Sequence, residues 1–188
     1  MHSRGPWRVR STSTRYDNPW IRVEHHEVIT PGQREGVYGV VHFKNYAIGV
    51  IPLEDDGTTW IVGQYRYPLE EYSWEIPEGG GPLDVPPLVS AERELREEVG
   101  LVAKHWDLIL EMDLSNSVSD ERALIYVARG LERVGDPEPD HNEELALERL
   151  PFQALYEQVL AGEHKDSLTV AGVLKLGSLL ERGALRAV

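Results

Sequence analysis

The chain has 188 residues, of which 41% are hydrophobic and 27% are charged, and this composition is typical of a folded domain with a full core. Its formal net charge of −13 at pH 7 argues against a nucleic-acid-binding protein, because such proteins need a basic surface to displace counterions from phosphates. Cysteine is absent, which excludes disulfides, thiolate zinc sites and a thiol nucleophile. The sequence has neither a signal-like N terminus nor an apolar run of the roughly 20 residues that span a bilayer, so we expect a cytoplasmic protein with no membrane partner.

The first half of the chain has the composition of β-strands. Segments rich in valine, isoleucine and tyrosine are separated by turn residues, a pattern that favours extended structure. Asn18-Pro19 predicts a turn, and Asp55-Asp56-Gly57 predicts a hairpin. The predicted strands are 7–15, 20–29, 37–44, 46–53, 58–66 and 73–79.

A helix is predicted to follow these strands. Pro86 and Pro87 suit its first turn, where the N–H that proline lacks has no partner within the helix. Gly100 is expected to end the helix in a left-handed conformation. Apolar residues recur at helical spacing and predict a stripe that faces the core, formed by Leu88, Ala91, Leu95 and Val99.

The same helix carries a group of carboxylates. Glu94, Glu97 and Glu98 lie three or four residues apart, so their side chains can converge on one side of the helix. Packed carboxylates repel one another unless a cation lies among them, and hard oxygen ligands suit Mg²⁺ or Mn²⁺ rather than zinc. The alternative interpretation is a solvated helix face, which is the usual fate of a run of charges.

The rest of the chain contains further predicted strands, an exposed loop at 130–142 and two helices. Pro151 suits the first turn of one helix, which Gly162 is expected to end, and Asp166 suits the N-cap of the other. The strands are predicted at 106–114, 122–128 and 145–150, and the helices at 151–161 and 166–181. In the last helix the residues expected to face the core are Val170, Val173, Leu174, Gly177 and Leu180.

The segment from Gly79 to Leu101, GGGPLDVPPLVSAERELREEVGL, resembles the Nudix box. That box consists of Gly, five residues, Glu, seven residues, Arg-Glu, an apolar residue, any residue, Glu-Glu, any residue, Gly and an apolar residue. The segment fits without a gap, except that the first glutamate of the box falls on Val85. Because of this departure, the sequence leaves open the number of metal ions and the orientation of Arg93. It also leaves open that the chain is a catalytically silent relative of the family.

The resemblance implies a site for Mg²⁺ or Mn²⁺ beside Arg93. Its ligands would be Glu94, Glu97, Glu98 and the backbone carbonyl of Glu78, which precedes the first glycine of the box. In this family a glutamate from a later loop closes over the metals as a further ligand or as the base. Glu143 is the first candidate for that residue and Glu144 is the second, and Glu97 is an alternative base. In the alternative interpretation, Glu143 and Glu144 are solvated carboxylates of an exposed loop.

Two features outside the box resemble the branch of ADP-ribose pyrophosphatases and nucleoside diphosphate sugar hydrolases. They are the strand pair around Asn18-Pro19-Trp20 and the segment Gln64-Tyr65-Arg66. In that branch the N-terminal strands help to build a homodimer. The resemblance therefore implies that residues 1–36 are a strand extension of a Nudix domain at 37–188, within one domain.

The same branch implies contacts with the substrate. Arg66 would contact the nucleotide, and Trp20, or else Trp7, would stack on the base. The remaining predicted substrate contacts are Glu75, Ser119, Asp120 and Glu121. In the alternative interpretation, the tryptophans only pack against neighbouring residues and Arg66 is a surface residue of a loop. Residues 115–121 are then a simple polar turn.

The pattern of strands around a central helix predicts an α+β fold, which the resemblance makes a Nudix α/β/α sandwich with a mixed sheet. The implied activity is metal-dependent hydrolysis of the diphosphate linkage of ADP-ribose or a related nucleoside diphosphate sugar. The products would be a nucleoside monophosphate and a sugar phosphate. One alternative is a Nudix enzyme that acts on dinucleoside polyphosphates or nucleoside triphosphates. The other is a non-catalytic module that binds a nucleotide sugar.

Overall fold

The computed structural model describes residues 1–138 and 144–185. The chain divides into two compact units. The first comprises Met1–Tyr46 with Asp113–Arg122, and the second comprises Ala47–Met112 with Ala123–Val188. Within the two described stretches, every helix is too short or too polar to cross a bilayer.

The first unit contains an antiparallel sheet in the order β1-β2-β3-β4. Its strands are β1 (His2–Arg4), β2 (Trp7–Asp17), β3 (Ile21–Ile29) and β4 (Glu35–Phe43). The side-chain oxygen of Asn18 accepts hydrogen bonds from the backbone N–H groups of Trp20 and Ile21, at 2.9 and 2.7 Å, and closes the turn between β2 and β3. Strand β1 has no apolar alternation, so only its pairing with β2 defines it.

The second unit contains two sheets. One has the order β8-β5-β10-β9, in which β5 and β10 run parallel. The other has the order β11-β6-β7 and is antiparallel. The strands are β5 (Asn45–Pro52), β6 (Thr58–Arg66), β7 (Glu71–Glu75), β8 (Glu78–Pro82), β9 (Leu101–Asp113), β10 (Arg122–Arg133) and β11 (Ala146–Pro151).

Three helices complete the described part of the second unit and confirm the predicted α+β class. Helix α1 (Pro87–Glu94) continues as a π-helical turn (Leu95–Val99), and Gly100 ends it with a φ of 74°. Helix α2 (Phe152–Ala161) ends at Gly162, which has a φ of 78°. Helix α3 (Ser167–Glu181) begins after Asp166, whose carboxylate accepts the N–H of Thr169 at 2.7 Å.

Three predicted boundaries are wrong. The strand predicted at 73–79 is two strands, which are separated at Ile76-Pro77. There the Ile76 N–H donates to the Thr169 hydroxyl at 2.9 Å instead of to a neighbouring strand. Strand β9 begins at Leu101 instead of 106. Strand β10 runs to Arg133, so 130–133 is not loop. These extensions come from pairing between strands that are distant in sequence, which local turn chemistry does not record.

Most of the buried apolar residues lie in the second unit, where residues such as Ile48, Ile125 and Leu176 are completely buried. Ala91, Leu95 and Val99 are also buried, but Leu88 is exposed, so the predicted stripe begins one turn later. The predicted stripe of α3 is shifted as well, since Leu174 is exposed. The residues of α3 that are buried are Leu168, Thr169, Gly172, Val173, Leu176 and Gly177.

Candidate active site

The first glycine of β8 makes room for a carboxylate of α1. A Cβ added to Gly79 would stand 2.1 Å from Oε1 of Glu94, so the carboxylate would have to move away from its observed position. Glycine therefore allows the backbone and the carboxylate to approach each other closely. This contact packs the end of α1 against the start of β8.

Arg93 ties the carboxylates of the helix to β8. Its Nη1 donates to Oε2 of Glu97 at 2.6 Å, and its Nη2 donates to Oε1 of Glu94 at 2.5 Å and to the carbonyl of Gly80 at 2.8 Å. Burial alone would lower the pKa of Arg93, but the charges of Glu94 and Glu97 raise it overall. The guanidinium therefore stays charged and holds the two carboxylates in fixed positions.

Glu98 is held by the backbone at the start of β8. Its Oε2 accepts the N–H of Glu78 at 2.9 Å. Only 2% of Glu98 and 6% of Glu94 is exposed to solvent, so both carboxylates lie inside the protein. The turn that carries Glu98 is π-helical, a geometry that is common at functional sites and that residue spacing alone does not predict.

A second cluster of charges lies next to Glu78. The Nε of Arg66 lies 3.0 Å from both carboxylate oxygens of Glu75, and its Nη2 donates to Oε2 of Glu75 at 2.5 Å. The same Nη2 also donates to Oε1 of Glu78. Burial alone would lower the pKa of Arg66, but the hydrogen bond with Glu75 and the charges of both carboxylates raise it overall.

Asp166 joins this cluster and was predicted only as a helix cap. One carboxylate oxygen from each of Glu75, Glu78 and Asp166 lies within 4.8 Å of the other two. Burial raises the pKa of Glu78 well above its usual value, and the charges of Asp166, Glu75 and Glu98 add to this effect while Arg66 opposes it. No sequence signal pointed to Asp166 as part of this cluster, because only the tertiary fold brings the start of α3 there, with Thr169 accepting the Ile76 N–H.

Two cavities adjoin these residues. One of about 650 Å³ is lined by both members of the Arg66–Glu75 pair, by Glu78 and by Asp166. The other, of about 570 Å³, has Arg93 and Glu97 in its wall. Their volumes fall in the range of small-molecule sites.

The acidic residues of the site fit a divalent metal ion. The carboxylates of Glu75, Glu78 and Asp166 lie together, and Arg66 is paired with the first two, so these four side chains carry a surplus of negative charge. Glu98 adjoins them through its hydrogen bond with the Glu78 N–H. In addition, Oε2 of Glu78 is buried and accepts no hydrogen bond. A hard cation would offset this charge and suits an all-oxygen donor set.

The other predicted site residues belong to the first unit or fall outside the described stretches. Trp20 is exposed, and the Ser119 hydroxyl donates to the carbonyl of Leu114 at 2.8 Å. Asp120 accepts the N–H of Phe43 at 3.0 Å, and burial raises the pKa of Glu121. Glu143 lies outside the residues that the structure describes, whereas Glu144 is exposed.

Comparisons with known proteins identify the family. The NUDIX domain matches residues 44–171, and the nucleoside diphosphate sugar hydrolase N-terminal domain matches residues 7–41. The chain belongs to the Nudix family. The predicted family and branch are therefore confirmed by matches to both parts of the chain.

Two curated relatives match this Nudix protein over about 70% of its chain. It is 40% identical to an ADP-ribose pyrophosphatase of Mycobacterium tuberculosis over 139 residues, which cover 72% of the chain and 65% of that protein. It is 31% identical to a methanol dehydrogenase activator of Bacillus methanolicus over 68% of the chain and 69% of that protein. The chain thus matches about two thirds of the length of these relatives.

The predicted Nudix fold is confirmed by a solved structure. The chain superposes on an ADP compounds hydrolase with a TM-score of 0.84, over 98% of this chain and 100% of the other. The two sequences are 19% identical. At that identity the superposition shows only that the two proteins share a fold. This fold has the mixed sheet and the helices that the sequence predicted.

Substituting alanine for Gly79 tests the packing of the Nudix box. The added methyl group would displace the Glu94 carboxylate, and a displacement of about 1 Å at a reacting centre costs about a hundredfold in rate. We expect Gly79→Ala to lower kcat to that extent in a pyrophosphatase assay while the circular dichroism spectrum stays unchanged. Gly39→Ala is the matched control, since nothing lies within 4 Å of its added methyl group. Equal rates for the two variants would show that the position of Glu94 does not matter.

Proposed function

We propose that this chain hydrolyses the diphosphate linkage of ADP-ribose or a related nucleoside diphosphate sugar with the help of a divalent metal ion. The products are a nucleoside monophosphate and a sugar phosphate. The observation that carries this proposal is the burial of Glu94 and Glu98 against Glu78 and Gly79, with Arg93 fixing Glu94 and Glu97. The names of the mycobacterial relative and of the structural neighbour support the substrate class.

The proposed ion is Mg²⁺ or Mn²⁺, with Glu94, Glu97, Glu98 and the backbone carbonyl of Glu78 as ligands. Such an ion neutralises a diphosphate and lowers the pKa of a bound water. The chain itself contributes the orientation of these ligands. Arg93 and the Glu78 N–H hold three of the carboxylates, so little reorganisation is needed when a substrate arrives.

Glu97 is the proposed proton acceptor among the described residues. Its side chain is 40% exposed, so water reaches it, and it lines the cavity of about 570 Å³ beside Arg93. A general base must lie within hydrogen-bond reach of the attacking water, directly or through one further water. Glu143 remains the first candidate for the base that the family resemblance implies. In-line attack by water needs no covalent intermediate on the enzyme.

Arg66 and Trp20 are the first two residues proposed to contact the substrate. Arg66 keeps its charge, which suits a phosphate, although Glu75 and Glu78 already occupy its Nη2 and Nε. Trp20 is exposed and therefore available for stacking on a base. Ser119, Asp120 and Glu121 remain proposed contacts as well.

A homodimer built through residues 1–36 is part of the proposal. Strand β2 in this segment is exposed along most of its length, and residues 7–41 match the nucleoside diphosphate sugar hydrolase N-terminal domain. Light scattering of the full chain tests the dimer, and a monomeric mass would contradict it. The proposed location is the cytoplasm, which the lack of cysteine fits and which cell fractionation tests.

The deciding experiment measures phosphate release, coupled to a phosphatase, from a panel of nucleotides. The panel contains ADP-ribose, other nucleoside diphosphate sugars, dinucleoside polyphosphates and nucleoside triphosphates, each with Mg²⁺, with Mn²⁺ and with a chelator. We expect metal-dependent release from ADP-ribose or a nucleoside diphosphate sugar, and none with the chelator.

Two other outcomes would replace the proposal. Faster release from polyphosphates or triphosphates would assign the chain to another substrate class within the Nudix family. No turnover across the panel, with calorimetry still detecting nucleotide-sugar binding, would identify a non-catalytic module. Val85 motivates that second outcome, because it stands half-buried in a turn where the box has its first glutamate, with its N–H bonded to the Pro82 carbonyl at 3.0 Å.

A further inference from the structure

A cluster of two imidazoles and two carboxylates lies in the first unit. It is separate from the carboxylates of the Nudix box to which the proposed hydrolysis is assigned. Glu24 and His26 share one face of β3, since residues two apart on a strand point the same way. His42 projects from β4, and Asp120 comes from the segment that precedes β10. Oε2 of Glu24 lies 2.9 Å from Nε2 of His26 and 3.2 Å from Nε2 of His42.

The contact between His42 and Asp120 determines which nitrogen of His42 is available to a cation. Nδ1 of His42 lies 2.5 Å from Oδ2 of Asp120, and an ionised carboxylate only accepts, so Nδ1 carries the hydrogen. In a neutral imidazole the other nitrogen, Nε2, then presents a lone pair. That lone pair faces the lone pairs of Glu24, which repel it unless a proton or a metal ion lies between them.

The spacing of the donor atoms suits a tetrahedral ion. Bonds of about 2.0 to 2.1 Å to nitrogen and oxygen separate neighbouring tetrahedral donors by about 3.3 Å. The distance from Glu24 Oε2 to Nε2 of His42, 3.2 Å, is close to this value, whereas the 2.9 Å to Nε2 of His26 would lengthen by about 0.4 Å when an ion binds. The donor atoms of Glu24, His26 and His42 all lie within 4.8 Å of one another.

The surroundings also favour a bound cation. The carboxylate of Asp120 orients His42 from behind, the arrangement in which metal-binding histidines are usually held. Arg22 forms an ion pair with the other oxygen of Glu24 at 3.0 Å, but its angle is too poor for a hydrogen bond.

We propose that Glu24, His26 and His42 form a zinc-class metal site that ties β3 to β4, with Asp120 as the residue that orients His42. Two imidazoles and one carboxylate suit Zn²⁺, whereas Mg²⁺ prefers oxygen donors alone. Three protein ligands leave the fourth tetrahedral position to water. Because Asp120 and Val118 connect the segment 113–122 to β4, the ion also stabilises that segment.

The test uses the full chain, stripped of metal by a chelator and then held in excess Mg²⁺ so that the oxygen site of the box is occupied. Co²⁺ is added as a spectroscopic substitute for Zn²⁺, and bound zinc is counted by equilibrium dialysis. We expect the intense visible absorption of four-coordinate Co²⁺, displacement of Co²⁺ by Zn²⁺, and a zinc-dependent rise in the unfolding midpoint.

Variants assign the ion to the cluster. Glu24→Gln and His42→Gln are expected to abolish the Co²⁺ absorption and to remove one zinc ion per chain. Asp120→Asn is expected to weaken zinc binding by roughly 10- to 100-fold, as changes behind a ligand usually do. His25→Gln is the matched control, because His25 is adjacent on β3 but points to the opposite face.

Two results would overturn the proposal. The first is the absence of four-coordinate Co²⁺ absorption in the wild-type chain. This result does not depend on whether the variants fold. The second is equal zinc binding by the wild-type chain and by His42→Gln. The first result would mean that the cluster holds no four-coordinate ion, and the second would mean that zinc binds elsewhere in the chain.

Discussion

Replacing Glu98 with glutamine should lower turnover about a thousandfold, equivalent to about 4 kcal/mol of activation free energy. Glu98 is almost completely buried and accepts the Glu78 N–H, so glutamine can keep its place and that hydrogen bond. What glutamine removes is the negative charge, on which the proposed binding of Mg²⁺ depends. Steady-state kinetics on the best substrate of the panel, at saturating Mg²⁺, measures the loss.

The control for this variant is Glu157→Gln, which makes the same chemical change at an exposed position of α2. It should leave kcat and KM unchanged. Both variants should show the circular dichroism spectrum of the wild-type chain, since neither removes an apolar contact. A Glu98→Gln enzyme with a rate near that of wild type would remove Glu98 from the metal site.

Replacing Arg66 with alanine should destabilise the fold by about 2 to 4 kcal/mol, near the lower end of the cost of breaking a buried ion pair. Glu75 is 2% exposed, and it depends on Arg66 for two of its hydrogen-bond donors. The arginine itself is 33% exposed, which reduces the expected cost. Chemical denaturation followed by circular dichroism and by tryptophan fluorescence measures the free energy of unfolding.

The second unit offers a matched control in Arg149→Ala. Arg149 pairs with Asp56 at 2.8 Å, but both side chains are about half exposed, at 44% and 57%. Exposed ion pairs contribute roughly 0 to 1 kcal/mol, so this variant should lose little stability. If Arg66→Ala raises KM for the substrate without destabilising the fold, the guanidinium serves the substrate and its pairing with Glu75 is energetically minor.

The sequence by itself determined the features that depend on neighbouring residues. Proline at the start of α1 and glycine after its π-helical turn set the limits of this helical segment, and Asn18 closes the turn into β3 through its own side chain. The spacing of Glu94 and Glu98 placed both carboxylates on one side of the helix. Such features are readable because capping, turn chemistry and helical periodicity act over a few residues.

Tertiary structure alone decided the features that join distant segments. The pairing of Arg66 with Glu75 and Glu78, the approach of Asp166 to that pair, and the convergence of His42 on Glu24 all require folded strands and helices. The exposure of Leu88 and the π-helical turn likewise depend on what α1 packs against. The physical reason is that strand pairing and burial are properties of the whole fold, so no local pattern in the chain encodes which distant side chains will meet.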